Sequence, residues 1–206
     1  MIINYRIDKS DIFEVAESSL IVDFFNPDSF SYTFWHNRNK LPHWYSNQAL
    51  DLLYISMAVF AADRLSLRDN AADGWSREFT LFIPVLEYDL WEKAKPILEE
   101  MLCFLSGDYW TFNFRGRTES DNEKEQLDKW MKSKESIKDY DQLCMFSGGL
   151  DSFIGAINQL EQGDGKTLFV SHYGGGKGTK EFQDILKAKF IEKYSLEDRD
   201  FHQYYR

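Results

Sequence analysis

Cysteine is scarce in this sequence of 206 residues: Cys103 and Cys144 are the only two, far apart and in unlike neighbourhoods. That excludes a disulfide framework and a CxxC metal or redox pair, and a reducing, cytoplasmic compartment fits. Positive charge is also in short supply. The 24 Lys and Arg face 34 Asp and Glu, and the net charge of -10 repels phosphate backbones, which argues against nucleic acid as a partner. Long apolar runs are lacking as well. The run from Leu50 to Ala62 is shorter than a membrane span and contains Asp51, and the first six residues, Met1 to Arg6, hold no basic region leading into an apolar stretch. The expectation is no signal peptide and no membrane partner. No Walker A loop, internal repeat or low-complexity tract is present.

What the chain does have is apolar and aromatic residues, 43% and 17% of the total, enough for one good core and a second, smaller unit. Ile3, Tyr5 and Ile7 alternate with polar neighbours, Leu20 to Phe25 is mostly apolar, and Phe30, Tyr32 and Phe34 alternate again, so three strands are predicted. The period then changes. Leu50, Leu53, Tyr54, Met57, Ala61, Arg64 and Leu65 predict an amphipathic helix over 47–65. Phe79, Leu81 and Ile83 predict a strand ended by Pro84. A second helix follows, capped by Asp89 with Glu92, with Leu90, Ala94, Ile97, Leu98, Met101, Leu102 and Leu105 as its buried stripe and Gly107 just beyond. Pro96 inside it predicts a kink or a late start. Trp110, Phe112 and Phe114 make one more strand. The expected architecture for 1–117 is an α/β domain with a mixed sheet. Asp63-Arg64 and Arg77-Glu78 stand beside apolar periodic positions and read as an ion pair between helix and strand. Residues 118–142 read as a charged linker, helical across 123–134.

The chemistry concentrates in the last third. Leu143 to Phe146 suits a buried parallel strand and runs into Ser147-Gly148-Gly149-Leu150-Asp151-Ser152, after which Phe153, Ile154, Ala156, Ile157 and Leu160 give a helix stripe ended by Gly163. Strand, glycine bend and helix N-terminus form an anion site, because free N–H groups and the positive end of the helix dipole face one point. Gly148 and Gly149 let the backbone approach phosphate oxygens. Ser147 and Ser152 can donate hydroxyl hydrogen bonds, and Asp151 can hold Mg²⁺ or cap the helix. An ordinary capped turn is the bland alternative. Five fixed positions match by chance in such a chain on the order of a few times in ten thousand, which favours the phosphate reading.

A second strand follows, Thr167-Leu168-Phe169-Val170-Ser171-His172-Tyr173-Gly174, then Gly175, Gly176, Lys177, Gly178 and a helix containing Glu181, Phe182, Gln183, Ile185, Leu186 and Phe190. His172 could face a nucleotide or substrate, or simply pack at a strand end. Lys177 could meet phosphate or stay solvated.

The hexapeptide 147–152 is similar to the signature of the PP-loop ATP pyrophosphatases, a doubly wound α/β superfamily with an adenine nucleotide alpha hydrolase-like fold. That resemblance implies an ATP-binding loop, with Ser147 and Asp151 as catalytic residues and ATP and Mg²⁺ as cofactors. A substrate oxygen attacks the α-phosphorus, and the adenylated product then meets a nucleophile. The Tyr173-Gly174 turn followed by Lys177 resembles 7-cyano-7-deazaguanine synthase (QueC), which implies that Val170, His172, Tyr173 and Gly174 border the adenine and that a deazaguanine-like carboxylate is the substrate of a ligase or synthase. The helix 51–64, then Trp75-Ser76-Arg77-Glu78 and Leu81-Phe82-Ile83-Pro84-Val85, resemble the domain preceding the loop in QueC-like proteins of bacterial antiphage operons, the QatC family of the Qat system among them. This implies partner proteins from the same operon.

The resemblance also sets a shortfall. A doubly wound domain of this kind needs about five parallel strands at roughly thirty residues per βα unit, whereas 143–206 is 64 residues long and holds two such units and the start of a third strand at 200–205. A zinc site of four cysteines is implied only if it lies outside this sequence. The expectation is a partial PP-loop domain at 143–206, completed by more of the same chain or by another polypeptide. The rival reading is an inactive nucleotide-binding or scaffold subunit of a defence complex. A third, tRNA thiolation, conflicts with the acidic balance and the lack of a CxxC pair.

Overall fold

Among the described residues every strand pairing is parallel. The computed structural model describes residues 1–16, 18–32, 34–35, 43–133, 139–163, 165–173 and 178–205, the last by its backbone alone. The chain divides into two units, Met1–Ser31 with Tyr45–Glu125, and Tyr32–Trp44 with Gln126–Arg206, each carrying one sheet.

The first unit holds β1 (Ile2–Arg6), β2 (Leu20–Asp23), α1 (Asn47–Leu65), β3 (Glu78–Val85), α2 (Tyr88–Ser106) and β4 (Tyr109–Gly116). Then comes α3 (Asp121–Lys132), within which the division between the units falls. The strand order is β2-β1-β3-β4. The mixed sheet expected from the sequence is therefore corrected to an all-parallel one. The strands alternate apolar and polar residues although they are parallel because helices cover one face only. In register, Ile3, Leu81 and Phe112 line up on one face with Tyr5, Ile83 and Phe114, all buried. There the Tyr5 hydroxyl donates to the Ala58 carbonyl of α1 (2.7 Å), and Trp91 of α2 lies against Phe114. The opposite face carries Asn4, Arg6, Phe82 and Arg115. It meets the segment after β1, where Asn4 donates to the Phe13 carbonyl and Arg115 pairs with Asp11 at 2.6 Å.

Three further expectations need correction. The strand predicted over Phe30, Tyr32 and Phe34 does not form: Ser29 and Phe30 N–H donate to the Asn26 carbonyl in a turn, and the Phe30 ring packs edge-on to Phe24 at 4.9 Å. The aromatic spacing there anchors a loop. Next, α2 begins after Glu87, and Asp89 does not cap it. The start is held from outside by the buried Asp51 carboxylate, which accepts from Leu86 N–H, Glu87 N–H and Trp91 Nε1–H. Burial pushes the Asp51 carboxyl up, against the pull of those bonds. Finally, the stripe of α2 is rotated: Trp91 is its buried residue, Leu98 and Leu102 are half-buried, and Leu90, Ile97, Met101 and Leu105 face outward. The helix runs through Pro96 and closes at Gly107 in the left-handed region, as the sequence suggests.

The expected ion pair between helix and strand does form, as Arg77 with Asp63 at 2.7 Å. It belongs to a larger network in which fully buried Asp108 accepts from Arg77 (2.7 Å) and Arg68 (3.0 Å). Burial pushes the Asp108 carboxyl up, but the bonds from Arg77 and the charge of Arg68 outweigh it and hold the group below the usual carboxylate range. Arg64 instead lies over the Phe60 ring.

The second unit holds β5 (Gln142–Met145), α4 (Leu150–Gln162), β6 (Thr167–Tyr173), α5 (Thr179–Tyr194) and β7 (Phe201–Tyr205), in the order β5-β6-β7. Both crossovers step the same way along the sheet, so right-handed connections put α4 and α5 on one face. Cys144, Phe146, Ala156, Phe169, Phe190 and Phe201 form the shared core there. Among the described residues, no helix is long and apolar enough to cross a membrane.

Candidate functional site

The hexapeptide lies where β5 ends and α4 begins. Phe146 is buried and its N–H donates to the Val170 carbonyl of β6 (2.7 Å), which fixes the last residue before the loop in the sheet. The chain then turns out to solvent: Ser147, Gly149, Leu150 and Asp151 are exposed, Gly148 and Ser152 half-buried.

The two glycines have different reasons to be there. Gly148 sits at φ +87°, a left-handed conformation, and a Cβ on it would lie 3.0 Å from Gln183 Cγ, so both backbone and space demand glycine. Gly149 is at φ -83°, which any residue adopts, and a Cβ there would meet only Ser147 Oγ at 3.6 Å. The missing side chain there leaves the N-terminus of α4 uncovered. Gly149 is also the N-cap of α4 and brings no side-chain cap. The first N–H groups of the helix, at Leu150, Asp151 and Ser152, therefore lack an intrahelical acceptor and point their partial positive charge out of the bend.

Two hydroxyls line this bend. Ser147 Oγ donates to Ser152 Oγ (3.0 Å), which donates to the Gly149 carbonyl (2.9 Å). Both lie at the mouth, and each can turn toward an anion at the cost of the one exposed bond it donates. Asp151 stands exposed in the first turn of α4. Among the described residues, no group of three or more His, Cys, Asp or Glu is arranged to hold a metal. A cation here would rest on one carboxylate together with phosphate oxygens and water, the manner in which Mg²⁺ is held beside nucleotides.

The second predicted border is brought near the loop by a residue that sequence reasoning passed over. Gln183, fully buried on α5, donates from Nε2 to the Ser147 carbonyl (3.0 Å) and to the His172 carbonyl (3.1 Å), tying the glycine loop to the end of β6. Its Oε1 is buried and without a partner among the described residues. The signal was available: Gln183 stands three and seven residues before Leu186 and Phe190, a polar side chain in an apolar stripe.

The carbonyls of Val170 and His172 are thus engaged already, by Phe146 and Gln183. The His172 side chain is exposed and that of Tyr173 half-buried at the same end of β6. Gly174 and Lys177 lie outside the described residues. α5 starts from Gly178 in the left-handed region, again with no side-chain cap, so a second open helix N-terminus stands beside the first.

A cleft of about 380 Å³ is found elsewhere, in the first unit, at the C-terminal ends of β1, β3 and β4. Its cations are spent within the protein: Arg115 pairs with Asp11 (2.6 Å) and Arg117 with Glu123 (2.7 Å). The loop 147–152 does not line it, so the candidate site is the open bend and not this cleft. Comparison with protein-family models, curated proteins and solved structures finds no match to this chain.

Proposed function

We propose that the bend at 147–152 grips the triphosphate of ATP, and that the chain is part of a QueC-like, ATP-dependent adenylating enzyme. The observation that carries this reading is Gly148, held left-handed at the end of a parallel strand and opening onto the uncapped N-terminus of α4. Backbone N–H groups of the bend and the Ser147 and Ser152 hydroxyls bind phosphate oxygens, and Asp151 holds the cation. In the reaction a carboxylate oxygen of the substrate bonds to the α-phosphorus while the bond from that phosphorus to the bridging oxygen breaks, releasing pyrophosphate. Mg²⁺, when bound, neutralises charge on the departing pyrophosphate. The deazaguanine-like substrate, the antiphage setting and a protein partner from the same operon rest on the resemblance of 51–64, 75–78 and 81–85, and on that of the Tyr173 turn.

Pyrophosphate release from ATP, followed with the intact protein and a deazaguanine carboxylate, tests the proposal. Asp151→Ala is expected to lower the rate by about a hundredfold or more, with the thermal midpoint unchanged because the side chain is exposed. Equal rates for the two proteins remove the catalytic role. Tight ATP binding with no pyrophosphate release by either assigns the chain to a nucleotide-binding subunit.

A further inference from the structure

The outward face of α2 is apolar without being covered. Leu90, Ile97, Met101 and Phe104 are exposed, Ile97 at 70% and Phe104 at 87%, although the helix as a whole is well packed on β4 through its other face. Their spacing is that of a coiled-coil seam: Leu90, Ile97 and Phe104 recur every seven residues, and Ala94 and Met101 fall between them at the alternate seam position. On one flank of the seam stand Lys93 and Glu100, seven apart and both exposed. Neither is in an ion pair among the described residues.

We infer that α2 is a self-association surface, pairing antiparallel with α2 of a second copy about a two-fold axis. The charges choose this occupant and orientation. In an antiparallel pair, flank positions of the same kind face each other, so Lys93 meets Glu100 of the other copy, and the symmetry repeats that contact. The seam layers of the same register set Ala94 against Ile97 and Leu90 against Met101, each twice, small against large at the centre. A parallel pair would instead set Lys93 against Leu98 and Glu100 against Leu105. An antiparallel register shifted by one heptad would set Glu100 against Glu100. One arrangement alone satisfies both the apolar seam and the charges.

Sedimentation velocity on the full chain across micromolar concentrations tests this, with far-UV circular dichroism to monitor folding. A dimer is expected. Ile97→Glu places a carboxylate in the seam of each copy and is expected to raise the dissociation constant by about a hundredfold or more. Lys93→Glu and Glu100→Lys are each expected to weaken the dimer about fivefold, and the double exchange to restore it to within about twofold. A wild-type monomer throughout, a dimer indifferent to Ile97→Glu, or a double exchange as weak as the single ones would overturn the inference. Should Ile97→Glu lose its fold, the charge-exchange series decides, since both positions are exposed and outside the core. A wild-type monomer that binds a different protein through this face likewise overturns self-pairing.

Discussion

The two sheets are built on one plan, parallel strands with helices packed on one face, yet they are closed to different degrees. In the first unit β3 is flanked by β1 and β4, its side chains at Phe79, Leu81, Ile83 and Val85 are almost wholly buried, and the Asp108 network locks the N-terminal ends of β3 and β4. In the second, β5 is an edge strand, and Leu143 and Met145 on it are 60% and 63% exposed. The bend proposed to hold phosphate grows from this less closed sheet. Ligand-binding loops are drawn from the less stable parts of a structure, and the proposal fits that pattern.

The contrast can be broken at its strongest point. Arg77→Ala takes from fully buried Asp108 its closest cation and leaves Arg68 alone beside it, and is expected to cost about 3 kcal/mol, read as lost hydrogen-exchange protection in β3 and β4 with β6 unaffected. Equal loss in β6 would show the two sheets to be one cooperative body. The same network gives a pH signature. The Asp108 carboxyl is depressed in the folded state, so its stabilisation is present above the ordinary carboxylate range and is lost as pH falls through the folded value. Asp51 is raised, so its contribution is present at low pH and lost as pH rises through its folded value. Arg77→Ala should flatten the acid arm of the stability curve and leave the Asp51 arm in place.

A middle-sized effect tests the bend. Gly148→Ala forces a non-glycine residue to φ +87° and presses its methyl on Gln183, at a cost of about 1–3 kcal/mol. ATP affinity, by calorimetry, should fall with it, while Gly149→Ala keeps most of the stability. Equal destabilisation by the two would refute the division of labour between them. The smallest effect sharpens the comparison from the other side: Leu143→Ser, on the open edge, should change stability by less than about 0.5 kcal/mol, measured by urea denaturation.

Much of this was legible in the residues, and the exceptions share a cause. Gly107, Gly163 and the stretch 167–173 announce local events, a helix end or a strand between turns, and the structure has them in place. Asp89 and the α2 stripe misled because tertiary partners decided them: Asp51, 35 residues upstream of Leu86, took over the cap. The seam of Leu90, Ile97 and Met101 imitates a core face, and sequence periodicity alone cannot tell a face meant for the core from one meant for another surface. Within the site, the need for Gly148 was visible in the motif, but the clamp by Gln183 depends on α5 returning to the loop, a long-range fact.

The parallel plan also governs how the protein is made. Among the described elements there is no hairpin, so no strand can find its neighbour by a short local search; each pairing closes a long loop first, the topology of slow folding. Ile2 of β1 pairs with Thr80 of β3, and at about 5–20 residues per second the ribosome takes several seconds to supply that partner. Until then Ile3 and Tyr5, fully buried in the folded sheet, wait with one side of β1 unpaired, and β3 must wait in its turn for β4.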